Sequence, residues 1–181
     1  MSLIVCDFSA TSVTVPGRQF PVRMYYTAEP QQDYLDSVVL TIFQLHQTPA
    51  KQGDFLVFLT GQEEIEAVER ILSEHGKACA KGSPRMLICP LYASLPASQQ
   101  MSVFQATPKG CRKIVLATNV AETSITIPGI RIVIDPGFSK QRSYNPRTGM
   151  ESLQVTPISQ ASSRQRAGRA AHGGQAGIAA L

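Results

Sequence analysis

Four apolar runs of strand length, separated by segments with helical spacing, constrain the fold of this 181-residue chain more than any other feature. They occupy residues 54–59, 86–91, 113–117 and 130–135. Continuous apolar strands that alternate with helices are typical of a parallel sheet buried on both faces. The pattern therefore predicts an α/β fold in which a parallel sheet is sandwiched by helices.

Helical signals lie on both sides of the first apolar run. Thr60 and Glu63 match a capping box, and residues 94–104 predict a shorter helix entered through Pro96. Apolar residues at helical spacing precede the run at Leu35, Val38, Val39, Ile42 and Leu45, and follow it at Ile65, Val68, Ile71 and Leu72.

The pattern changes after position 137. Residues alternate on both sides of a Pro/Gly turn, N-P-R-T-G at 145–149, which predicts an antiparallel β-hairpin over 138–158, inserted in the fold. The serine-rich segment that follows predicts a helix capped by Ser159 or a neighbouring serine. Glycines at 173, 174 and 177 argue against continuing this helix into the small-residue ending, 172–181.

The composition gives only weak evidence about the kind of molecule that this chain binds. The 17 Lys and Arg residues exceed the 13 Asp and Glu residues, giving a net charge of +4. Basic residues cluster at Lys109, Arg112 and Lys113 and again in the predicted hairpin, which weakly favours a polyanionic partner. Scattered solvated charge accounts for the same composition equally well.

Cysteine spacing and hydropathy argue against a metal site, a disulfide framework, a signal peptide and a membrane span. The four cysteines form no C-x-x-C pair, so the sequence predicts neither a metal site nor a disulfide framework. The opening M-S-L-I-V-C-D-F is too short for a signal peptide, and no run approaches the ~18 apolar residues of a membrane span. We therefore expect a soluble nuclear or cytoplasmic protein with reduced thiols and no membrane partner.

The run R-Q-R-A-G-R at 164–169 places three arginines and a glutamine close together. Guanidinium groups suit a phosphate because each presents a fixed fork of donors and keeps its charge. The sequence nevertheless contains no phosphate loop of the form G-x-x-x-x-G-K-[ST]. The run therefore predicts half of a phosphate site, completed by another domain. On a continuous helix, Gln165, Arg169 and position 172 lie on one face.

A polar turn follows the third apolar run, at the carboxyl end of the predicted strand, where parallel sheets bind ligands. Thr118, Asn119, Thr123 and Ser124 place four small polar side chains there. Hydroxyl and amide groups can grip a phosphodiester backbone without reading bases. Ordinary turn and capping chemistry is the alternative, and it is the more common explanation for any one of these residues taken alone.

Four motifs occur together and in order: L-T-G-Q-E-E-I-E at 59–66, P-L-Y-A-S-L-P at 90–96, A-T-N-V-A-E-T-S-I-T at 117–126 and Q-R-A-G-R at 165–169. Together they closely resemble the second RecA-like domain of the DEAH-box RNA helicases. The resemblance implies a linker at 1–15, a helicase C-terminal domain at 16–171 that includes the hairpin 138–158, and a divergent tail at 172–181.

The resemblance implies that ATP with Mg²⁺ binds in a cleft between this domain and a first RecA-like domain that supplies the phosphate loop and the metal ligands. Gln165 and Arg169 would act at the nucleotide phosphates, with Arg166 supporting the same helix. Phe104 would stack on the adenine, with a core position as its alternative. Ser124 would lie near the nucleotide.

The same resemblance implies contacts with single-stranded RNA. Thr118, Asn119 and Thr123 would face RNA phosphates, and the basic hairpin with Lys140 and Arg142 resembles the family's strand-separating element. A solvated ribbon is the alternative for the hairpin. An activating protein partner is also expected.

Two departures from the family pattern stand out. Pro128 occupies a position where some members carry a polar residue, and the family's Q-R-x-G-R-x-G-R reads Q-R-A-G-R-A-A-H here, which puts His172 where an arginine finger is expected. The ending 172–181 does not resemble the strand that continues the family's domain. We expect part of an ATP-dependent RNA helicase, inactive alone. The alternatives are an inert fragment or isoform that binds RNA or a protein partner, and an unrelated nucleotide-binding α/β module.

Overall fold

The computed structural model describes residues 20–29, 31, 33–48, 53–76, 83–123, 125–145, 149–173 and 177–180. The predicted linker 1–15, Ser124 and most of the hairpin turn lie outside these ranges. The strands are β1 (Val22–Tyr25), β2 (Asp54–Phe58), β3 (Arg85–Leu91), β4 (Cys111–Ala117), β5 (Ile130–Ile134), β6 (Phe138–Asn145), β7 (Met150–Pro157) and β8 (Gly177–Ala180).

Six of these strands form one parallel sheet in the order β1-β8-β5-β2-β4-β3, and β6 and β7 form a separate antiparallel hairpin. Strand β2 lies inside the sheet and is buried throughout, because its side chains alternate between two cores. This arrangement confirms the predicted α/β fold with an inserted hairpin.

Helices cover both faces of the sheet. One face packs against α1 (Tyr34–Gln47) and α2 (Gln62–His75), through residues such as Ile42 and Ile65. The other face packs against a 3-10 helix (Met101–Phe104), α4 (Val120–Thr123) and α5 (Gln160–Gly168), through Val103, Ala121 and Ala167. The threonine turn and the arginine helix therefore lie on the same face.

Helix starts differ in detail from the predictions. The capping box of Thr60 and Glu63 is wrong by one residue: the Thr60 backbone N–H donates to Glu64 Oε2 at 2.8 Å, and the Thr60 hydroxyl donates to Glu64 Oε1 at 2.5 Å. The cause is that α2 begins at Gln62, so that Glu64 is its third residue. The predicted helix 94–104 is α3 (Ala97–Gln100) followed directly by the 3-10 helix.

Part of the predicted tail 172–181 lies in the sheet. Its residues Gly177–Ala180 form β8, which pairs in parallel with β1 on one side and β5 on the other. The run G-I-A-A has few bulky β-branched residues, so the sequence did not predict a strand there. In the structure, the strand is formed by backbone pairing with β1 and β5. Strand β1 was also missed, because only Val22 in it is sheltered from solvent.

The basic cluster at Lys109, Arg112 and Lys113 is not a surface patch. Arg112 is 6% exposed and Lys113 1% exposed. The Arg112 guanidinium donates to the His46 carbonyl at 3.0 Å and lies 5.0 Å from the centre of the Phe55 ring. Two of these three charges thus belong to the interior and provide no evidence of a polyanionic partner.

Candidate functional site

The turn after β4 combines a buried anchor with exposed polar side chains. Thr118 is partly buried, and its backbone N–H donates to the Leu91 carbonyl at 3.2 Å. Asn119 and Thr123 are exposed, on either side of the buried Ala121. The residue before α4, Asn119, and the last residue of α4, Thr123, are therefore presented to solvent at the carboxyl edge of the sheet, where a ligand can reach them.

The arginine helix α5 begins as predicted, because the Ser159 hydroxyl accepts a hydrogen bond from the Ser162 backbone N–H at 3.1 Å. The helix buries Arg166 and Ala167, while Arg164 and Gln165 are exposed. The α-helix ends at Gly168 and continues as a 3-10 helix over Arg169–Gly173. The helix therefore changes type at Arg169, and the 3-10 spacing keeps position 172 aligned with Arg169.

Arg166 is the centre of a buried ionic cluster. Its Nε donates to Glu122 Oε2 and its Nη1 to Asp135 Oδ1, both at 2.9 Å, and Nη1 also donates to the Phe138 carbonyl at 3.2 Å. The guanidinium lies 4.6 Å from the centre of the Phe58 ring. Burial raises the pKa of the Asp135 carboxyl, and the Arg166 charge opposes that shift. The cluster joins α5 to α4, to the end of β5 and to the base of the hairpin.

Arg169 is turned toward α4. Its Nε donates to the Glu122 carbonyl at 2.9 Å, Nη2 donates to the same oxygen, and Nη1 donates to the Ile125 carbonyl at 3.2 Å. The side chain is only partly buried. A guanidinium has five N–H donors, so Arg169 retains donors for a further acceptor while it holds these carbonyls.

Phe104 ends the 3-10 helix and packs, partly buried, against the same core cluster as α5. This helix is tied to β4 by the buried ammonium of Lys113, whose Nζ donates to the Val103 carbonyl at 2.8 Å and to the Gln105 carbonyl at 2.5 Å. The contact of Phe104 with adenine stays a prediction. The structure adds a reason why Phe104 would be held in place.

The hairpin has a base that packs against the domain and a face that carries basic side chains. Its base is fixed by stacking of Phe138 on Tyr34, with ring centres 5.2 Å apart. Lys140 extends over Gly61 at the start of α2, where a methyl group in place of the glycine hydrogen would be 3.9 Å from Nζ. The exposed Arg142 lies 3.9 Å from Glu151, a distance and exposure at which an ion pair contributes little. One face carries Lys140, Arg142 and Tyr144 opposite Val155, Leu153 and Glu151.

Two residues of this site had no predicted role, Glu122 and Asp135. Both stand in runs that the sequence marked, since Glu122 lies in the threonine turn and Asp135 ends the fourth apolar run. An acidic residue at the end of a buried strand, with an unexplained arginine elsewhere in the sequence, is the available signal for such a pair. The spatial pairing itself required the fold.

Comparison with known proteins decides the family. The model of the helicase conserved C-terminal domain family matches residues 35–174, which include α2 to α5, the hairpin and all of α1 except Tyr34. The chain belongs to this helicase domain family.

Two relatives of the helicase domain are much longer than this chain. The chain is 54% identical over 165 residues to the pre-mRNA-splicing factor ATP-dependent RNA helicase DEAH10 of Arabidopsis thaliana, covering 91% of this chain and 23% of that protein. Two crystal structures of Escherichia coli HrpB, one described as a DExH-box NTPase and the other as a DEAH/RHA helicase, align with this chain with a TM-score of 0.78, at 38% and 39% identity. Each alignment covers 91% of this chain and 19% or 20% of HrpB.

Within the described ranges, no group of three or more His, Cys, Asp or Glu side chains is arranged to hold a metal ion. In the same part of the chain, no helix has both the length and the apolar character needed to cross a membrane. Cys89 and Cys111 are free thiols. The predicted residues that the structure describes thus fall on the turn after β4, the α5 region, the 3-10 helix and the hairpin.

Proposed function

We propose that this chain is the second RecA-like domain of an ATP-dependent RNA helicase of the DEAH type. The observation that carries the proposal is the junction of two elements at Glu122: an exposed polar turn, suited to an RNA backbone, and an arginine helix, suited to nucleotide phosphates. A relative with 54% identity is named an ATP-dependent RNA helicase, which supports the same assignment. The domain would extend over 16–171, with 1–15 as a preceding linker.

In this proposal, ATP binds between this domain and a first RecA-like domain, which supplies the phosphate loop and the ligands of Mg²⁺. From this side, Gln165 is exposed and Arg169 has remaining donors, so both fit a phosphate group at the end of α5. Arg166 is a positioning residue, because its charge is neutralised inside the protein. Phe104 and Ser124 would line the nucleotide side.

RNA would follow the carboxyl edge of the sheet. Asn119 and Thr123 are exposed there, and Thr118 is fixed next to them. Lys140 above Gly61 and Arg142 further along the hairpin would add charge to the same track. We propose a nuclear site of action, because the Arabidopsis relative is named a pre-mRNA-splicing factor. An activating protein partner is part of the same proposal.

The function can be tested in a chimera of the Arabidopsis helicase. In this chimera, the aligned part of our chain replaces the matching 165 residues of the helicase, and the rate of ATP hydrolysis is measured with and without RNA. We expect stimulation, and Arg169→Ala should lower kcat by ~10³-fold, the effect typical of a phosphate-stabilising arginine. Arg164→Ala, on the exposed side of α5, is the matched control and should retain activity. A chimera that folds and binds RNA without hydrolysing ATP contradicts the proposal.

A second candidate function is RNA binding without hydrolysis. It is favoured by His172, which stands where the family pattern has an arginine, because imidazole is shorter and mostly uncharged at neutral pH. The same chimera distinguishes the two functions. If the chimera with the native His172 does not hydrolyse ATP and the His172→Arg variant does, the native sequence is the inert RNA-binding form. If the chimera hydrolyses ATP with the native His172, the first proposal holds.

A further inference from the structure

Glu64 binds donors from two different elements at the start of α2. The Thr60 backbone N–H donates to its Oε2 at 2.8 Å, and the Thr60 hydroxyl donates to its Oε1 at 2.5 Å. The hydroxyl of Tyr34, the first residue of α1, donates to the same Oε1. One carboxylate of the motif at 59–66 therefore caps α2 and also holds the side chain of Tyr34.

The Tyr34 hydroxyl is bound as a donor. Burial, followed by the hydrogen bond to Glu64, raises the pKa of Tyr34 to about 12. The hydroxyl therefore keeps its proton at physiological pH, and an O–H group that donates to a carboxylate forms one of the stronger classes of hydrogen bond. Because α1 holds one end of the side chain and Glu64 holds the other, the ring cannot swing out of its place.

The Tyr34 ring in turn supports the first residue of the hairpin. Phe138 stacks on it with ring centres 5.2 Å apart and an angle of 30° between the ring planes. The Phe138 carbonyl accepts a hydrogen bond from Arg166 Nη1 at 3.2 Å. The base of β6 is therefore held by two elements, its ring by α1 and its backbone by α5.

The rest of the hairpin projects into solvent. Beyond Ser139, residues 140–144 of β6 are all exposed, and in β7 only Thr156 is sheltered. A strand rises by about 3.4 Å per residue, so a rotation of about 10° at the base would move the far end of the eight-residue strand β6 by about 4–5 Å. The direction of the whole hairpin thus depends on a few contacts at its base.

We infer that Tyr34 is a positioning residue that sets the direction in which the hairpin leaves the domain. Glu64 holds its hydroxyl, its ring supports Phe138, and the hairpin then carries Lys140 and Arg142 to RNA at a defined angle. This inference rests on the proposed function, since that function gives the hairpin an RNA ligand. Tyr34 should affect strand separation more than ATP hydrolysis, because α1 and the arginine helix α5 lie on opposite faces of the sheet.

The full 181-residue chain, labelled with ¹⁵N, allows the direction of the hairpin to be measured without RNA or ATP. Residual dipolar couplings of the backbone N–H groups report the orientation of β6 and β7 relative to the sheet strands β2 and β4. In the native chain, one alignment tensor should fit all four strands. In Tyr34→Phe, which loses only the hydroxyl, we expect the hairpin couplings to fall by about a third relative to those of the sheet, and in Tyr34→Leu by about half or more.

Tyr144→Phe is the matched control, because it removes a hydroxyl from an exposed ring on the hairpin itself. Its hairpin couplings should equal the native ones. Unchanged couplings in β2 and β4 show for each variant that the domain remains folded. The inference is overturned if the native hairpin does not fit the tensor of the sheet, if both Tyr34 variants keep the native couplings, or if Tyr144→Phe lowers them equally.

The chimera with the Arabidopsis helicase tests the consequence for RNA. Tyr34→Leu should lower the rate of duplex unwinding by about tenfold or more, as expected for a misplaced binding element, and keep RNA-stimulated ATP hydrolysis within about twofold. Equal losses of unwinding and hydrolysis would indicate general support of the fold and contradict the positioning role.

The two measurements also distinguish this inference from the proposed function. If the couplings respond as expected but the chimera neither hydrolyses ATP nor unwinds RNA, the proposed function fails and the positioning of the hairpin by Tyr34 stands. If the chimera is active, while the Tyr34 variants change neither the couplings nor the unwinding rate, the function stands and the positioning role fails.

Discussion

Arg164, Arg166 and Arg169 occupy three different environments although they stand within six positions of one another. Arg164 is exposed, Arg166 is buried on two carboxylates, and Arg169 is partly buried on backbone carbonyls. The sequence predicts a basic helix suited to a phosphate. It does not separate the positioning arginine from the others, because that depends on Glu122 and Asp135, which other elements supply.

Arg166→Met tests the buried cluster. Removing the guanidinium leaves Asp135 and Glu122 without their compensating charge, so we expect a loss of about 3–5 kcal/mol in the free energy of unfolding. Urea unfolding followed by circular dichroism measures it. Arg164→Gln, two residues earlier on the exposed side, should change that free energy by less than about 0.5 kcal/mol. Equal midpoints for the two variants would contradict the structural role of Arg166.

His46 is a second buried polar residue that periodicity did not identify. It is 2% exposed, and among the described residues neither ring nitrogen has a hydrogen-bond partner of good geometry, the Pro84 backbone carbonyl being a marginal one. Burial, followed by the charge of Arg112, lowers the pKa of this imidazole. The neutral ring is therefore the form that the fold accepts.

The pH dependence of stability follows from that shift. Below the unfolded-state pKa of about 6.5, the unfolded chain binds a proton that the folded His46 resists, so stability falls as the pH is lowered. His46→Leu should remove this contribution, which is at most about 1.4 kcal/mol per pH unit. Urea midpoints between pH 7.5 and 5 measure the difference in slope. Gln44→Leu, exposed on the same helix, should keep the native slope, and parallel slopes for all three chains would refute the assignment.

At the scale of elements, buried strands were the most predictable features. The runs that form β2, β3, β4 and β5 lie within two residues of their predicted ends. Strands β2, β4 and β5 are largely buried on both faces, which favours continuous apolar runs, whereas the edge strand β3 is buried only at Cys89 and Leu91. Short elements were not predictable in the same way. Strands β1 and β8 have four residues each and owe their form to neighbouring strands. The sequence motifs located the site residues on their elements. The hydrogen bonds that these residues make could not be predicted, because their partners come from other elements of the fold.

Lys113 connects two of these elements. It was counted among the surface charges, but its ammonium holds the 3-10 helix that carries Phe104. Lys113→Met retains the side-chain length and leaves the Val103 and Gln105 carbonyls without that donor. We expect a loss of about 1–3 kcal/mol in unfolding free energy and faster proteolysis near Phe104. Lys109→Met, at an exposed position in the loop before β4, is the control. If both lysine variants lose the same unfolding free energy, the hydrogen bonds of Lys113 do not stabilise the fold.

At the scale of the whole molecule, β8 completes the sheet by lying between β1 and β5. Among the described elements, β1 has only β8 as a strand partner. The overall architecture was predictable from the alternation of strands and helices, whereas β8 was not, because a run of small residues has no clear hydrophobic pattern.

Ala179→Pro tests the position of β8. Proline removes a backbone donor from a strand that pairs on both sides, so we expect a loss of about 3 kcal/mol or more. Hydrogen exchange should show the loss of protection first at β1 (Val22–Tyr25). Strand β3, at the other edge of the sheet, serves as the internal reference. Equal loss in β1 and β3 would indicate global unfolding instead of a local role.

The order of the strands also has a consequence for synthesis on the ribosome. Strand β5 is made before β8, so its outer edge has no neighbour until residues 177–180 have left the exit tunnel. An unpaired apolar strand edge is a template for pairing with other chains. Until β8 is added, the edge of β5 is therefore a site at which the nascent sheet can pair with other chains.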